Sequence, residues 1–284
     1  MLTLTLKNKR YAFPTSWNEF TTAHGPMFVR MAEQMNLFEQ GVVHFEYFRT
    51  ALTIAILGLR DGHISSFSEE FQENIFRLSE QLSFPYKLHQ AENGVQTCEL
   101  TVCLSDNLFP KIDGVKGYLF HYDPSGKVDC TITAEQYIDS LGLMQAWQNT
   151  RQASALASLV ATLYPGVKNC SPALSTAVYY NLRGILSWIK NIPSYALIFS
   201  APENTAGKRG NPAGLASSIY ALAKAGYGSI DSIKDLPLFE YLDLLLQQSI
   251  DSIKALAASQ MKPTQIAERL NLPMGEVLKY TSQP

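Results

Sequence analysis

The sequence predicts an α+β protein that is mainly α-helical, with an N-terminal β-hairpin and a small antiparallel β insertion. Apolar and polar residues alternate at the start of the chain and again in parts of residues 86–133, a two-residue period that is typical of strands. Over most of the remaining chain, apolar residues recur at spacings of three and four, which is typical of helices packed on a core. With 284 residues, the chain is long enough to bury such a core.

The first predicted element is the hairpin. Leucine stands at every second position from 2 to 6, and Tyr11 and Phe13 resume the alternation after a polar break at 7–10. Pro14 has no backbone N–H to donate, so the second strand is expected to end there.

Helices are expected to follow the hairpin. Ser16 or Asn18 is a candidate N-cap for the first of them. Residues 45–59 are nearly apolar on all faces and reach a glycine near their end, which predicts a buried helix. Residues 69–82 carry apolar side chains at helical spacing and predict an amphipathic helix.

The β insertion is predicted from residues 97–104, 117–122 and 127–132, which form three short strand-like segments in one antiparallel sheet. Three of the four cysteines lie in these segments. They could meet across the sheet, but separated cysteines without a CxxC pair in a chain of this length favour buried free thiols.

From residue 133 onwards the pattern is helical almost to the end. Thr133 and Gln136 match a capping box at the start of this half. Helices are predicted over residues 153–164, 173–188, 213–225 and 235–258, and residues 202–212 are a candidate mobile loop. The chain is accordingly divided into an α+β region at 1–133, a helical region at 134–260 and a short tail at 261–284.

The composition and the motifs of the chain argue against several classes of function. Charged residues make up 17% of the chain and the formal net charge is −2, so no overall field attracts nucleic acid or an anionic membrane. No apolar run is long enough for a membrane span. The five histidines lack metal-ligand spacing and no nucleotide-binding or nucleophile motif occurs, so neither a cofactor nor an enzyme is predicted. An enzyme with an unmarked site in a cleft between the two halves ranks last.

Residues 262–280 have the apolar spacing of a helix-turn-helix, with Leu272 in the turn. A DNA reader needs polar or basic residues where its second helix begins, whereas this chain has Met274 and Gly275 there and only Lys279 beyond. A helical docking tail is therefore favoured, and a DNA-binding regulator using this segment is the alternative.

Candidate contact residues are aromatic or basic. Tyr179 and Tyr180 are consecutive on one predicted helix, and two neighbours are not expected to face the same core. Aromatic side chains at helical spacing are more often packed in a core than exposed to a partner. The complete set of candidates is Trp17, Tyr179, Tyr180, Trp188, Lys208, Arg209 and Lys279.

Three stretches resemble accessory proteins of unknown role from the tail-gene neighbourhoods of Bacteroidales phages and prophages, some of them similar to tail assembly chaperones. They are the strand-Pro-Trp opening at 11–21, the helix ending in Leu-Tyr at 156–166, and residues 226–238. The resemblance implies a non-enzymatic role in a phage tail or related particle, as a structural component or an assembly chaperone. It also implies tail proteins or further copies of the chain as partners, in the bacterial host cytoplasm or retained in the virion.

Overall fold

The computed structural model describes residues 2–6, 9–59, 68–90, 96–123, 125–199 and 212–281. The fold is 63% helical, with 12 α-helices and small two-stranded antiparallel sheets in this part of the chain. This confirms the mainly α-helical α+β class predicted from the sequence. None of the described helices combines the length and the hydropathy that crossing a bilayer requires.

The helices carry most of the described chain. They are α1 (Gly25–Glu39), α2 (Phe45–Ile56), α3 (Glu69–Glu80), α4 (Ala134–Thr150), α5 (Ala153–Leu163), α6 (Pro172–Lys190), α7 (Ala196–Phe199), α8 (Pro212–Lys224), α9 (Ile230–Lys234), α10 (Leu238–Ala258), α11 (Pro263–Leu270) and α12 (Met274–Thr281). The helices predicted from apolar spacing are confirmed, with ends that differ by a few residues.

The strands form separate pairs. They are β1 (Leu2–Leu6), β2 (Lys9–Phe13), β3 (Tyr86–Gln90), β4 (Gln96–Leu100), β5 (Lys111–Ile112), β6 (Val115–Lys116), β7 (Phe120–Tyr122) and β8 (Val128–Cys130). In the N-terminal hairpin, Leu2 lies opposite Phe13 and Leu6 opposite Lys9, which confirms the hairpin and its end before Pro14.

The β insertion differs from the prediction of one three-stranded sheet. The described residues form three two-stranded sheets instead, β3–β4, β5–β6 and β7–β8. Beyond β4, the Leu104 N–H donates to the Gly184 carbonyl of α6 at 3.1 Å, so this stretch pairs with a helix. Val102 and Leu104 are both buried. The alternation of apolar residues in this stretch therefore shows which side chains face the core, but it does not show that the stretch pairs with another strand.

The first long helix begins later than expected. Ser16 precedes a 3-10 helix at Trp17–Glu19, and its side chain accepts no capping hydrogen bond. The α-helix begins only at Gly25, with Pro26 in its first turn, where the missing N–H costs nothing. The prediction that Ser16 or Asn18 caps this helix was wrong.

The chain divides into two compact units, and neither is a single continuous range. Unit 1 comprises Met1–Asp129 and Thr150–Ser187, whereas unit 2 comprises Cys130–Asn149 and Trp188–Pro284. The chain therefore passes from one unit to the other three times.

Aromatic side chains fill much of the core of unit 1. The ring of Trp17 lies 4.9 Å from that of Phe84 and 5.1 Å from that of Phe20. Phe38 of α1 stacks on Phe48 of α2 with ring centroids 4.4 Å apart. These contacts join the segment after the hairpin to the first helices.

A buried polar network holds the loop before β5 in unit 1. Asn181 of α6 accepts a hydrogen bond from the Leu108 N–H at 3.1 Å and donates one to the Asp106 carbonyl at 3.0 Å. The Tyr164 hydroxyl, just after α5, donates to the Phe109 carbonyl at 2.7 Å. Since these groups are paired, their burial carries no desolvation penalty from unmade hydrogen bonds.

In unit 2 the predicted capping box is present at the start of α4. The Thr133 hydroxyl accepts from the Gln136 N–H at 3.2 Å, and the Gln136 side chain accepts from the Thr133 N–H at 3.2 Å. The Ala134 N–H donates to the Leu236 carbonyl at 2.9 Å. This bond ties the start of α4 to the segment that leads into α10.

Candidate interaction surface

The C-terminal helices α11 and α12 form a compact helix-turn-helix. The Lys262 N–H donates to the Gln265 side chain at 3.2 Å, which caps α11, and Pro263 occupies its first turn. Asn271 ends the helix in the left-handed conformation, with φ 54° and ψ 46°. The Leu272 N–H then donates back to the Ala267 carbonyl at 2.9 Å. The turn is therefore closed by local hydrogen bonds.

An apolar cluster in unit 2 holds these two helices on α10. Its buried members come from α7, α10, α11 and α12, and they are Leu197, Ile253, Ile266, Ala267 and Val277. Leu270, Leu272 and Tyr280 are partly buried against the same cluster. The described part of the tail therefore packs on the rest of unit 2.

Two apolar side chains are exposed on the outer face of α12. Met274 is 36% exposed and Leu278 is 41% exposed, and their spacing of four residues places them on one side of the helix. Gly275 lies beside Met274 and is exposed. A DNA-reading helix needs side chains that hydrogen-bond to base edges at its N-terminal end, where this chain has Met274 and Gly275.

Charge on this surface is close to balanced. Lys279 on α12 forms an ion pair with Glu276 at 2.7 Å. The other cations of the two helices and their flanks, Lys262 and Arg269, are exposed together with the carboxylate of Glu268. The field that these groups offer to a phosphate backbone is weak.

The three aromatic candidates in unit 1 lie in its core. Trp17 is 7% exposed, and its indole N–H donates to the Thr101 carbonyl. Tyr179 and Tyr180 are both fully buried, so the argument that consecutive aromatic residues cannot both face the core was wrong. The Tyr180 hydroxyl donates to Glu39 of α1 at 2.8 Å, and burial raises the pKa of Tyr180. Their role in partner contacts stays a prediction.

The remaining candidates are dispersed. Trp188 is half-buried on α6, and Lys279 is exposed on α12. Lys208 and Arg209 lie outside the described residues, as does the loop predicted at 202–212 except for its last residue, Pro212, which begins α8. The structure therefore does not bring the sequence-predicted set together at one site.

A shallow pocket of about 160 Å³ lies in unit 2 among α4, α8 and α9. Its charged groups are Glu135, Asp139 and Lys234, and Lys234 pairs with Glu135 at 2.9 Å. Burial raises the pKa of Asp139, and the neighbouring Glu135 carboxylate raises it further. The volume is below that of usual small-molecule sites.

Candidate metal-ligating side chains are dispersed over the described part of the chain. Among the described residues, no group of three His, Cys, Asp or Glu side chains is placed to hold a metal ion. The four cysteines are half-buried. Burial raises the pKa of Cys98 and Cys130 to about 11, so both thiols are protonated, and weakly nucleophilic, at neutral pH.

The sequence analysis missed an exposed aromatic side chain on α3. Phe76 is 43% exposed, and Leu88 on β3 is 45% exposed. Assigning the α3 residues to their helix faces would have found Phe76, since it lies in line with Glu73 and Glu80 and outside the stripe of the buried Ile75 and Ser79.

Comparisons with protein-family models, with curated proteins and with solved structures found no match to this chain.

Proposed function

We propose that the protein acts by protein–protein contact, without catalysing a reaction, as a structural component or assembly chaperone of a phage tail or related particle. The observation that carries the proposal is the apolar face of α12. Met274 and Leu278 are exposed on a helix that a buried cluster fixes in place. Exposed apolar side chains on a rigid element, with neutralised charges around them, suit a partner interface.

The assignment to a phage particle is supported by the resemblance of three stretches of the sequence to proteins from tail-gene neighbourhoods. On this proposal the protein works in the bacterial host cytoplasm and either leaves the assembling particle or is retained in the virion. Its partners are tail or particle proteins, or further copies of the same chain.

The test is an affinity capture of the tagged protein from its native host, repeated after nuclease treatment. We expect co-encoded particle proteins to be captured, and the Met274→Ser, Leu278→Ser double variant to reduce their recovery by about tenfold or more. Val42→Ser is a matched control, because Val42 is 63% exposed but lies in unit 1, remote in sequence from α12.

Finished particles that contain the protein would assign it as a component, and their absence alongside capture of precursors would assign it as a chaperone. The proposal fails when no particle protein or second copy is captured. It also fails when the control variant reduces recovery as much as the double variant does.

A DNA-binding regulator is the second candidate. The observation in its favour is the geometry of α11 and α12, two eight-residue helices joined by a short turn with Asn271 in the left-handed conformation. The protein would then retard duplex DNA at low salt.

Arg269→Gln tests this candidate, because removing one phosphate contact lowers the salt dependence of binding by about one unit of log–log slope. Glu268→Gln on the same helix is the control, and it is expected to leave that slope unchanged. Absence of any retarded duplex at low salt excludes the regulator.

A further inference from the structure

Helix α3 has two contrasting faces. Ile75 and Ser79 are buried, and they face the body of unit 1. A neighbouring face carries Glu69, Glu73, Phe76 and Glu80, all exposed, at spacings of four, three and four residues. This period places the four side chains in one stripe along the helix. We call this stripe the α3 outer face.

The centre of the α3 outer face is the aromatic ring of Phe76, which contacts a side chain of α2. The guanidinium of Arg49 on α2 lies 5.3 Å from the ring centroid of Phe76 and 5.7 Å from that of Phe45. Phe45 in turn packs edge-on against Tyr86 of β3 at 5.0 Å. Phe76 is thus held by neighbours on one side while 43% of it is exposed to solvent.

The apolar surface extends from α3 towards the β3–β4 hairpin. Leu88 lies two residues after Tyr86 and therefore projects from the same side of β3. It is 45% exposed. Phe76, the half-buried Phe45 and Leu88 come from three elements, and contacts through Arg49 and Tyr86 connect the two aromatic rings to the strand that carries Leu88.

The charge around this surface is negative. Helix α3 carries four glutamates and one arginine. That arginine, Arg77, pairs with Glu73 at 2.5 Å, and Arg49 pairs with Glu46 at 2.7 Å and lies 3.8 Å from Glu80. Both nearby guanidinium groups are therefore neutralised, and carboxylates are left in excess.

We propose that the α3 outer face docks a basic amphipathic segment of a partner protein, whose apolar side chain packs on Phe76 while its Lys or Arg side chains meet the glutamates. The inference rests on the proposed function, because it names the chemistry of one partner. Charge complementarity selects this occupant: an acidic segment is repelled by the excess carboxylates, and a purely apolar one leaves them unpaired.

The experiment uses the full chain and two labelled synthetic peptides of the same helical pattern, one of Lys and Leu and the other of Glu and Leu. Binding is followed by fluorescence anisotropy at about 50 mM and about 300 mM salt. We expect the Lys/Leu peptide to bind, with an affinity that falls as salt rises, and the Glu/Leu peptide not to bind.

Two variants and their controls locate the binding. Phe76→Ser is expected to weaken binding of the Lys/Leu peptide by about tenfold, because it removes the apolar centre. The double variant Glu69→Gln, Glu73→Gln is expected to weaken it by about fivefold and to reduce its salt dependence. Val42→Ser matches the first change, and Glu240→Gln, Glu268→Gln matches the charge change with exposed residues of unit 2.

The docking proposal is overturned when the two peptides bind equally, when the unit 2 double variant weakens binding as much as the α3 double variant, or when the Lys/Leu peptide does not bind. Undiminished capture of every particle protein by Phe76→Ser overturns it as well and leaves the proposed function standing. Peptide binding at α3 without capture of any particle protein or second copy of the chain contradicts the proposed function instead.

Discussion

Gly117 lies directly beneath the ring of Tyr164 in unit 1. A methyl group at this position would be 2.0 Å from Cε1 of Tyr164 and 2.2 Å from Cδ1. The ring cannot move away easily, because its hydroxyl donates to the Phe109 carbonyl at 2.7 Å. Glycine is therefore required here by close approach of a ring.

Gly117→Ala is expected to lower the free energy of unfolding by about 1–3 kcal/mol, the usual cost of overpacking. Urea denaturation measures the change. Gly142→Ala is the matched control, because a methyl group there meets no atom within 4 Å in the middle of α4. It is expected to raise stability by about 0.5–1 kcal/mol, and equal losses in both variants would contradict the steric argument.

His121 forms a hydrogen-bonded pair with Asp106 at the surface of unit 1. The hydrogen bond to Asp106 raises the pKa of His121 above 6.5, and Coulombic attraction to the same carboxylate adds to the shift. Because the folded-state pKa is the higher one, the stabilisation is complete below about pH 6.5 and is lost as the pH rises through the raised pKa.

Asp106→Asn is expected to lower the pKa of His121 towards 6.5 and to remove this part of the pH dependence of stability. An NMR titration of the His121 ring measures the pKa directly. A pKa that stays unchanged in Asp106→Asn would assign the shift to the other nearby carboxylates, Asp123 and Asp129.

Single residues were predictable from sequence where their partners are close along the chain. Thr133 and Gln136 form the capping box because both partners lie within one helical turn. Tyr179 and Tyr180 were not predictable, because Tyr180 faces Glu39, which is remote in sequence. A helix enclosed on several sides buries neighbouring side chains, and the sequence does not show that enclosure.

Helix α12 offers a direct comparison of a buried and an exposed side chain at adjacent positions. Val277→Ala removes two methyl groups from a fully buried site and is expected to cost about 2 kcal/mol of unfolding free energy. Leu278→Ala changes a side chain that is 41% exposed and is expected to cost less than about 0.5 kcal/mol. Denaturant unfolding measures both, and a larger loss for Leu278→Ala would contradict the packing described for the tail.

Elements were predicted well where one periodicity was sustained. The hairpin β1–β2 and the helices α5, α6, α8 and α10 follow from alternation or from helical spacing alone. The β insertion did not, because residues 102–104 alternate in burial but pair with α6. On α12 the sequence had indicated only Lys279 as a contact residue, and the exposure of Met274 and Leu278 came from the structure, as did the contacts that connect Phe76 to α2.

At the scale of the whole molecule, α4 belongs to unit 2 although residues 150–187 of unit 1 separate it from the rest of that unit. Tyr137 of α4 is buried with its ring centroid 6.5 Å from that of Tyr241 on α10. A continuous piece of chain that begins after α6 therefore lacks part of its own core.

A fragment of residues 188–284 is expected to show weak, non-cooperative thermal unfolding by circular dichroism, because Tyr241 then has no α4 to pack on. Adding a synthetic peptide of residues 130–149 is expected to raise helicity and restore a cooperative transition. A Tyr137→Ser version of the peptide serves as the control. Cooperative unfolding of the fragment alone would contradict this account of unit 2.

Because the chain passes three times between its two units, the segments of each unit are synthesised on the ribosome at separate times. Unit 1 is complete only after Ser187 has been synthesised, and the residues of α4 are synthesised before that point. The partners of α4 lie in the roughly one hundred residues that follow, which take about 5–20 s to synthesise. During that interval α4, which carries the apolar side chains of Tyr137 and Trp147, has been synthesised while most of its own unit has not.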